Sequence, residues 1–217
     1  VPVDAATVAG LARLGTTTVY EAAGRTGLVD LPFQQVGPGR AIAGSARTVS
    51  CGQGDNLMVH ATIPHVRDGE VLIVAMPEPQ PVGIVGDLLV TQLLARGVAG
   101  LVLNGAVRDV GTLRHLDLPI WAPFVRARGA TRTTAALCAP VAIGGATVAT
   151  GDVVVADADG VVAVGAGRAG EVLHAAEDRA RREDDKRARF AQGVTSFDLY
   201  DLGDTWPQLM DADSEAP

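Results

Sequence analysis

The chain has 217 residues, 47% of them apolar, with 25 acidic against 18 basic side chains and a net charge of −7. That is enough chain and enough apolar content for one ordinary domain with a sizeable core. The acidic balance, without a basic stripe, argues against a nucleic-acid backbone as partner. Two cysteines with no CxxC spacing read as small buried hydrophobes in a reducing compartment. There is no membrane-length apolar stretch and no leader-like segment, so the expected setting is cytoplasmic and free of membrane.

In chain order, Asp4 to Leu14 predicts a short amphipathic helix. Thr16-Thr17-Thr18 predicts the cap of a second helix, Val19 to Thr26, stopped by Gly27. Glu21 in that helix reads as a surface carboxylate. Leu31 to Arg40 reads as a loop. Its Gly37-Pro38-Gly39 is no dinucleotide fingerprint, because a strand (Ala41 to Ser50) follows it where a helix is required. Cys51 to Asp55 is a glycine-rich turn, and Asn56 to His65 a helix start and turn interrupted by Pro64. Glu70 to Met76 is a buried strand. The segment 76–81 carries three prolines, which stiffen it and remove N–H donors, and it is expected to border the cleft described next.

The stretch from Gly83 to Asp109 organises the rest. Asp87 to Arg96 predicts a helix, with Gly86 or Asp87 as N-cap and Gly97 as its C-terminal glycine. Val98 to Leu103 suits a buried strand, and Asn104 to Val107 a turn that delivers Arg108-Asp109. The helix is about 15 Å long at 1.5 Å per residue, and the strand about 20 Å at 3.3 Å per residue. A tight turn at Gly97 therefore brings the strand's end back to the helix N-terminus. Asp87, Arg108 and Asp109 then face one cleft, with N–H groups of Leu88 and Leu89 expected to be free. Two carboxylates, one permanent cation and a helix N-terminus suit a divalent metal and a small carboxylate ligand.

Further along, Val110 to Leu116 predicts a short helix and Leu118 to Ala122 a strand. Phe124 to Thr134 carries Arg126, Arg128 and Arg132, which could bind a distal carboxylate or equally form a solvated loop. Pro140 to Val148 is a strand or hairpin arm, and Gly151 to Val164 reads as strand, turn, strand. Arg168 to Arg189 is a strongly charged helix laced with i,i+4 pairs. The tail, Leu199 to Pro217, is acidic and expected to be loose beyond Gln208. No repeat or linker divides the chain, so residues 1–217 are expected to form one domain with its core over about 16–200. Several β runs separated by few helices and long glycine turns predict a layered α/β fold other than a Rossmann fold.

The spacing of Asp87 from Arg108-Asp109, with Gly86 before the first aspartate and Gly-Ala-Val before the arginine, resembles the class II pyruvate aldolases. These cleave 4-hydroxy-4-methyl-2-oxoglutarate and 4-carboxy-4-hydroxy-2-oxoadipate, and their family includes the regulator of ribonuclease E activity A. Gly54-Asp55-Asn56-Leu57 with His60, Asp68-Gly69-Glu70-Val71-Leu72, and the run from Gly151 through Asp157-Ala158-Asp159-Gly160 to Val162 resemble further family segments. The resemblance covers roughly residues 16–200. It implies a swivelling β/β/α-type layered fold assembled as trimers or hexamers. It also implies that Glu183, placed before Arg187 and Gly193 at the family's spacing, approaches the metal site of a neighbouring subunit. His60 matches too, though a helix histidine satisfied by its neighbours is the plainer reading.

Retro-aldol cleavage of a 4-hydroxy-2-oxo acid leaves a pyruvate enolate, which a lysine Schiff base or a divalent metal can stabilise. The only lysine is Lys186, inside the charged helix with no apolar pocket to lower its pKa, which argues against the Schiff base. The expected roles follow. Asp109 ligates Mg²⁺, Mn²⁺ or another divalent metal directly, and Asp87 holds it through water. Arg108 donates to the keto oxygen, and Gly86, Leu88 and Leu89 hold the pyruvyl carboxylate. Oxaloacetate decarboxylation passes through the same enolate and is expected as a side activity. The competing expectation is a non-catalytic regulator acting by protein–protein contact; the presence of Asp87 favours the enzyme. A quinone methyltransferase lacks the glycine-rich cofactor loop in strand–loop–helix context.

Overall fold

The apolar run Val71–Ala75 is a strand buried on both faces, as the absence of alternation in its sequence requires. The computed structural model describes residues 2–133 and 140–205; Cys138 and the acidic tail from 206 lie outside them. Contacts fall into two units, residues 1–177 and 178–217.

The first unit contains α1 (Ala5–Ala22), β1 (Gln34–Val36), β2 (Ile42–Ser50), α2 (Leu57–Thr62), β3 (Val71–Ala75), β4 (Gly83–Val85) and α3 (Asp87–Leu94). It continues with β5 (Gly100–Leu103), β6 (Ala106–Val107), α4 (Val110–Leu113), β7 (Ile120–Ala122) and β8 (Phe124–Val125). A hairpin of β9 (Val141–Ile143) and β10 (Ala146–Val148) follows, then β11 (Val153–Asp157) and β12 (Gly160–Val164). The helix α5 (Ala169–Ala191) begins in this unit and continues in the second, where α6 (Ser196–Leu199) and α7 (Leu202–Thr205) follow it.

Seven strands form the main sheet in the order β1-β7-β5-β3-β2-β11-β12. Its centre, β7-β5-β3-β2, is parallel, and the strands at either edge are antiparallel. Leu72, Val74, Leu101 and Leu103 project to one side, against Val59 of α2 and Leu89, Val90 and Leu93 of α3. Val71, Ile73, Val102 and Trp121 project to the other, against the β9–β10 hairpin. Leu11 and Val19 of α1, with Ala169 and Val172 at the start of α5, cover β11 and β12. This is the layered α/β fold expected. Cys51 is buried, and burial pushes its thiol up to about 12.

A second sheet, β4-β6-β8, positions the site. Its three strands are parallel, and each continues one central strand of the main sheet: β3 leads to β4, β5 to β6, β7 to β8. Asn104 fastens the bend. Its Oδ1 accepts from Met76 N and its Nδ2 donates to Met76 O, both at 2.8 Å, so one side chain replaces a backbone pairing where the strands leave the main sheet.

Several boundaries differ from expectation. The segment 104–107 is more than a turn, since Ala106–Val107 is β6. The supposed loops 31–40 and 124–134 contain β1 and β8. The two N-terminal helices run as one with a break at Gly15, and the second half starts at Thr16 and ends at Ala22. Its cap comes from far along the chain, as Asp157 Oδ2 accepts from Thr16 N at 2.8 Å.

In the second unit, Glu183 pairs with Arg179 at 2.8 Å at the i,i+4 spacing expected of this helix, whereas the Arg181–Asp178 and Arg187–Asp184 pairs are at i,i+3. Lys186 sits 4.7 Å from the centroid of the Tyr200 ring. Among the described residues no helix is long and apolar enough to cross a membrane.

Candidate functional site

The site lies at the carboxyl ends of β4 and β6, where parallel strands leave their last carbonyls and the loops beyond are free to carry chemistry. β4 ends at Val85, and Gly86 is the N-cap of α3. β6 ends at Val107, and Arg108 N donates to Val85 O at 3.0 Å, which ties the two strand ends together. The positive φ of Gly97 (72°) supplies the reversal that returns the chain from α3 to β5. Asp87, Arg108 and Asp109 therefore meet around Gly86, as their spacing predicts.

Gly86 is required by space. A Cβ there would lie 2.4 Å from Asp109 Oδ2 and 3.0 Å from Arg108 Nε. A Cβ at Gly129 would lie 3.3 Å from Arg108 Nη1. The guanidinium thus passes between two glycines and reaches Asp109 Oδ2 through Nε at 3.3 Å.

Asp109 stands in the left-handed region (φ 59°, ψ 33°), a conformation that costs a non-glycine residue about 1–3 kcal/mol, less for aspartate than for most. It begins α4, yet its carboxylate caps nothing: Thr112 N and Leu113 N donate to its backbone oxygen at 2.9 and 3.0 Å. An ordinary helix cap does not account for this side chain.

Asp87 is half-buried and differs from expectation in one respect. Its Oδ1 accepts from Leu88 N at 2.8 Å, and Leu89 N donates to Gly86 O at 3.2 Å. The two amides expected to be free both have partners. An aspartate in the first turn folds back on the nearest N–H, and the opening turn of the helix closes early on the cap carbonyl. The Leu89 bond is long, and the Leu88 side chain is 73% exposed at the rim.

A cavity of about 130 Å³ opens here, lined by Gly86, Asp87, Leu88, Leu89 and Arg108 on one side and by Asn56, His60, Ala130 and Arg132 on the other. It is smaller than the ~300–1,000 Å³ of sites for drug-sized ligands and suits a small metabolite. Asn56 Nδ2 donates to Ile84 O at 2.8 Å, and its buried Oδ1 has no hydrogen-bond partner among the described residues. Burial first, and the charge of Arg132 second, hold the His60 imidazole below its usual 6.5.

Asn56 and His60 are four apart at the start of α2, a spacing that puts both on one helix face; this was the available signal for their joint presence. Of the three arginines in the 124–134 segment, Arg132 lines the cavity, whereas Arg126 Nη1 donates to Val125 O. The proline segment 76–81 does not line it, because β4 intervenes. It packs instead on Gln53, whose Nε2 donates to Glu78 O at 3.1 Å. Glu21 pairs with Arg25 at 3.1 Å. Glu183 lies in the second unit with Arg179. Gly37 to Arg40 links β1 to β2, two strands, and no helix follows it.

This chain belongs to the RraA-like Aldolase/RraA family, whose model matches residues 16–163. Among solved structures it is similar to RraAS2 of Streptomyces coelicolor, described as an unusual member of the RNase ES inhibitor RraA family. The two are 29% identical over 86% of this chain and 98% of that one, with a TM-score of 0.77. It is also similar to a protein of Geobacillus kaustophilus described as S-adenosylmethionine:2-dimethylmenaquinone methyltransferase (29%, 64% and 86%, TM-score 0.60). A third relative is the RNA-processing inhibitor RraA of Thermus thermophilus (26%, 69% and 91%, TM-score 0.63).

Proposed function

We propose that this protein is a divalent-metal-dependent carbon–carbon lyase that cleaves 4-hydroxy-2-oxo di- or tricarboxylic acids to pyruvate and a second oxo acid, with oxaloacetate decarboxylation as a side reaction. The observation that carries this reading is the convergence of Asp87, Arg108 and Asp109 around Gly86, with Asp87 and Arg108 lining a small cavity.

The donor set fits Mg²⁺ or Mn²⁺. Among the described residues no group of three or more His, Cys, Asp or Glu side chains could hold a metal, and the two carboxylates Asp87 and Asp109 are the proposed donors. Mg²⁺ is commonly held by one or two carboxylates, with water and substrate oxygens in the other positions. The space beside Asp109 Oδ2 is one that a side chain at residue 86 would fill. Asp109 would hold the ion directly and Asp87 through water. When bound, the metal supplies Lewis-acid stabilisation of the enolate charge.

The chain's own groups do the rest. Arg108, fixed between Gly86 and Gly129, donates to the substrate's keto oxygen, where charge accumulates as the C3–C4 bond breaks. Asp87 keeps one carboxylate oxygen beyond the bond to Leu88 N, and through a water it takes the proton of the C4 hydroxyl. The pyruvyl carboxylate sits against Gly86 and the first turn of α3, displacing the long Leu89–Gly86 bond and drawing on the amide of Leu89, while Leu88 N stays with Asp87. Glu183, by its resemblance to the family pattern, serves the site of a neighbouring subunit in a trimer or hexamer.

The likeness to RNase-inhibiting relatives favours a second reading, a regulator acting by protein contact. One experiment separates the two. Purified protein with Mg²⁺ or Mn²⁺ is given a panel of 4-hydroxy-2-oxo acids and oxaloacetate, and pyruvate is measured. Metal-dependent release that excess EDTA abolishes is expected. Absence of release from every substrate by folded, metal-supplied protein favours the regulator.

A further inference from the structure

Two guanidinium groups, Arg108 and Arg132, line one small cavity in an acidic protein, and the second is held there by a construction of its own. Segment 131–133 lies beside segment 54–56 in a short parallel bridge. Thr131 N donates to Gly54 O, and Asn56 N to Thr131 O, each at 3.0 Å. Side chains alternate along extended backbone, so residues 131 and 133 face one way and residue 132 the other. Thr131 and Thr133 both face Asp55, a carboxylate only 1% exposed. Its Oδ2 accepts from Thr131 Oγ1 and Thr133 N, each at 2.7 Å, and from Thr133 Oγ1 at 3.3 Å. Its Oδ1 accepts from Leu57 N at 2.9 Å, which fixes the same carboxylate to the start of the helix carrying His60. Arg132, between the two threonines, is left facing the cavity.

We infer that Arg132 is the specificity-determining cation for a second, distal carboxylate of the substrate, and that Asp55 is the positioning residue that aims it. This deepens the lyase reading and rests on it. Arg108 and the first turn of α3 take the 2-oxo acid end. Arg132 lies on the other wall, beside His60 and Asn56. A carboxylate there meets a permanent charge. Arg132 is exposed, so an uncharged tail leaves the guanidinium to water and forgoes the charge-assisted pair, which favours the dicarboxylate.

The test uses full-length protein with Mg²⁺ and two substrates that differ in one group, 4-hydroxy-4-methyl-2-oxoglutarate and 4-hydroxy-4-methyl-2-oxopentanoate. The readout is the ratio of their kcat/KM values. Wild type should favour the dicarboxylate, and Arg132→Gln should collapse that ratio on the order of 10- to 100-fold, mainly through KM of the dicarboxylate. Asp55→Asn replaces an acceptor oxygen with an amide that cannot accept from Thr133 N, and should lower the ratio in the same direction. The double variant Thr131→Val/Thr133→Val, which spares the carboxylate, should do so as well and covers the case in which Asp55→Asn does not fold. Loss shared equally by both substrates in these variants would give Asp55 a merely structural role, and an unchanged ratio in Arg132→Gln would overturn the proposal. If wild type cleaves neither substrate, the lyase reading fails separately. Calorimetric affinities for 2-oxoglutarate and 2-oxopentanoate then decide the subsite: selective weakening of 2-oxoglutarate by Arg132→Gln supports it, and equal or no weakening rejects it.

Discussion

Gly86 has ordinary extended backbone, φ −134° and ψ −172°, which alanine adopts without strain. What alanine lacks is room, since its Cβ would lie 2.4 Å from Asp109 Oδ2 and 3.0 Å from Arg108 Nε. Gly86→Ala should therefore leave the fold intact and displace the two groups on which the proposed chemistry depends. Melting temperature should change by a few degrees at most, while kcat falls by about 10²-fold, the scale of an ångström misplacement. A large drop in melting temperature with kcat per folded molecule preserved would show a packing role instead. His60 is the second residue with a sharp expectation. Its folded pKa is lowered from 6.5, by burial first and the Arg132 charge second. The unfolded chain then binds a proton that the native protein refuses in the window just below 6.5. This contribution to stability rises with pH through that window and is lost as pH falls. An NMR titration of the imidazole should give a midpoint below 6.5. Arg132→Gln should raise that midpoint without restoring the full value, because burial remains. A midpoint unmoved by the substitution would mean that His60 does not feel Arg132.

Elements with strong local signals were legible, and elements set by distant partners were not. Val71–Ala75 is continuously apolar because both faces are covered, and the Gly86-to-Gly97 punctuation marked α3 to within two or three residues. The meeting of Asp87 with Arg108-Asp109 followed from helix rise, strand rise and one glycine reversal, so the centre of the site could be read before the fold. The second sheet could not. β4, β6 and β8 have two or three residues each, too few to show periodicity, although they are what orients Gly86 and Arg108. The Asp55 clamp escaped for a related reason: its threonine partners lie 76 and 78 residues away. The same holds for the cap at Thr16. In the sequence Asp157 reads only as part of a family-like turn, yet its carboxylate accepts from Thr16 N at 2.8 Å and from Asp159 N at 2.9 Å. Removing it uncaps the second half of α1 and loosens the β11–β12 turn. Asp157→Ala should cost about 1–2 kcal/mol of unfolding free energy, measured by urea titration. A cost within a few tenths would show that the break at Gly15 needs no cap.

An active site that one chain completes by itself and one that a neighbour completes make different predictions for mixtures. Asp87 belongs to the first unit and Glu183 to the second, where Glu183 pairs with Arg179 at 2.8 Å. The charged helix carrying Glu183 is half-exposed or exposed along its ionic length, which suits the rim of an assembly more than a core. Under the proposal that Glu183 serves a neighbouring subunit, Asp87→Ala and Glu183→Ala each inactivate, but for different sites. In a mixed oligomer some sites draw Asp87 from a Glu183→Ala chain and Glu183 from an Asp87→Ala chain, and those sites are intact. If assembly is a closed ring and subunits mix at random in equal amounts, about one site in four is complete, so roughly a quarter of wild-type activity is expected. If Glu183 serves its own chain, every site in the mixture lacks one residue and activity stays at the level of the separate mutants. Differential tagging of the two chains, followed by co-purification, establishes that mixing has occurred. Recovery to near a quarter in the co-purified oligomer then supports a shared site, and no recovery in the same fraction rejects it.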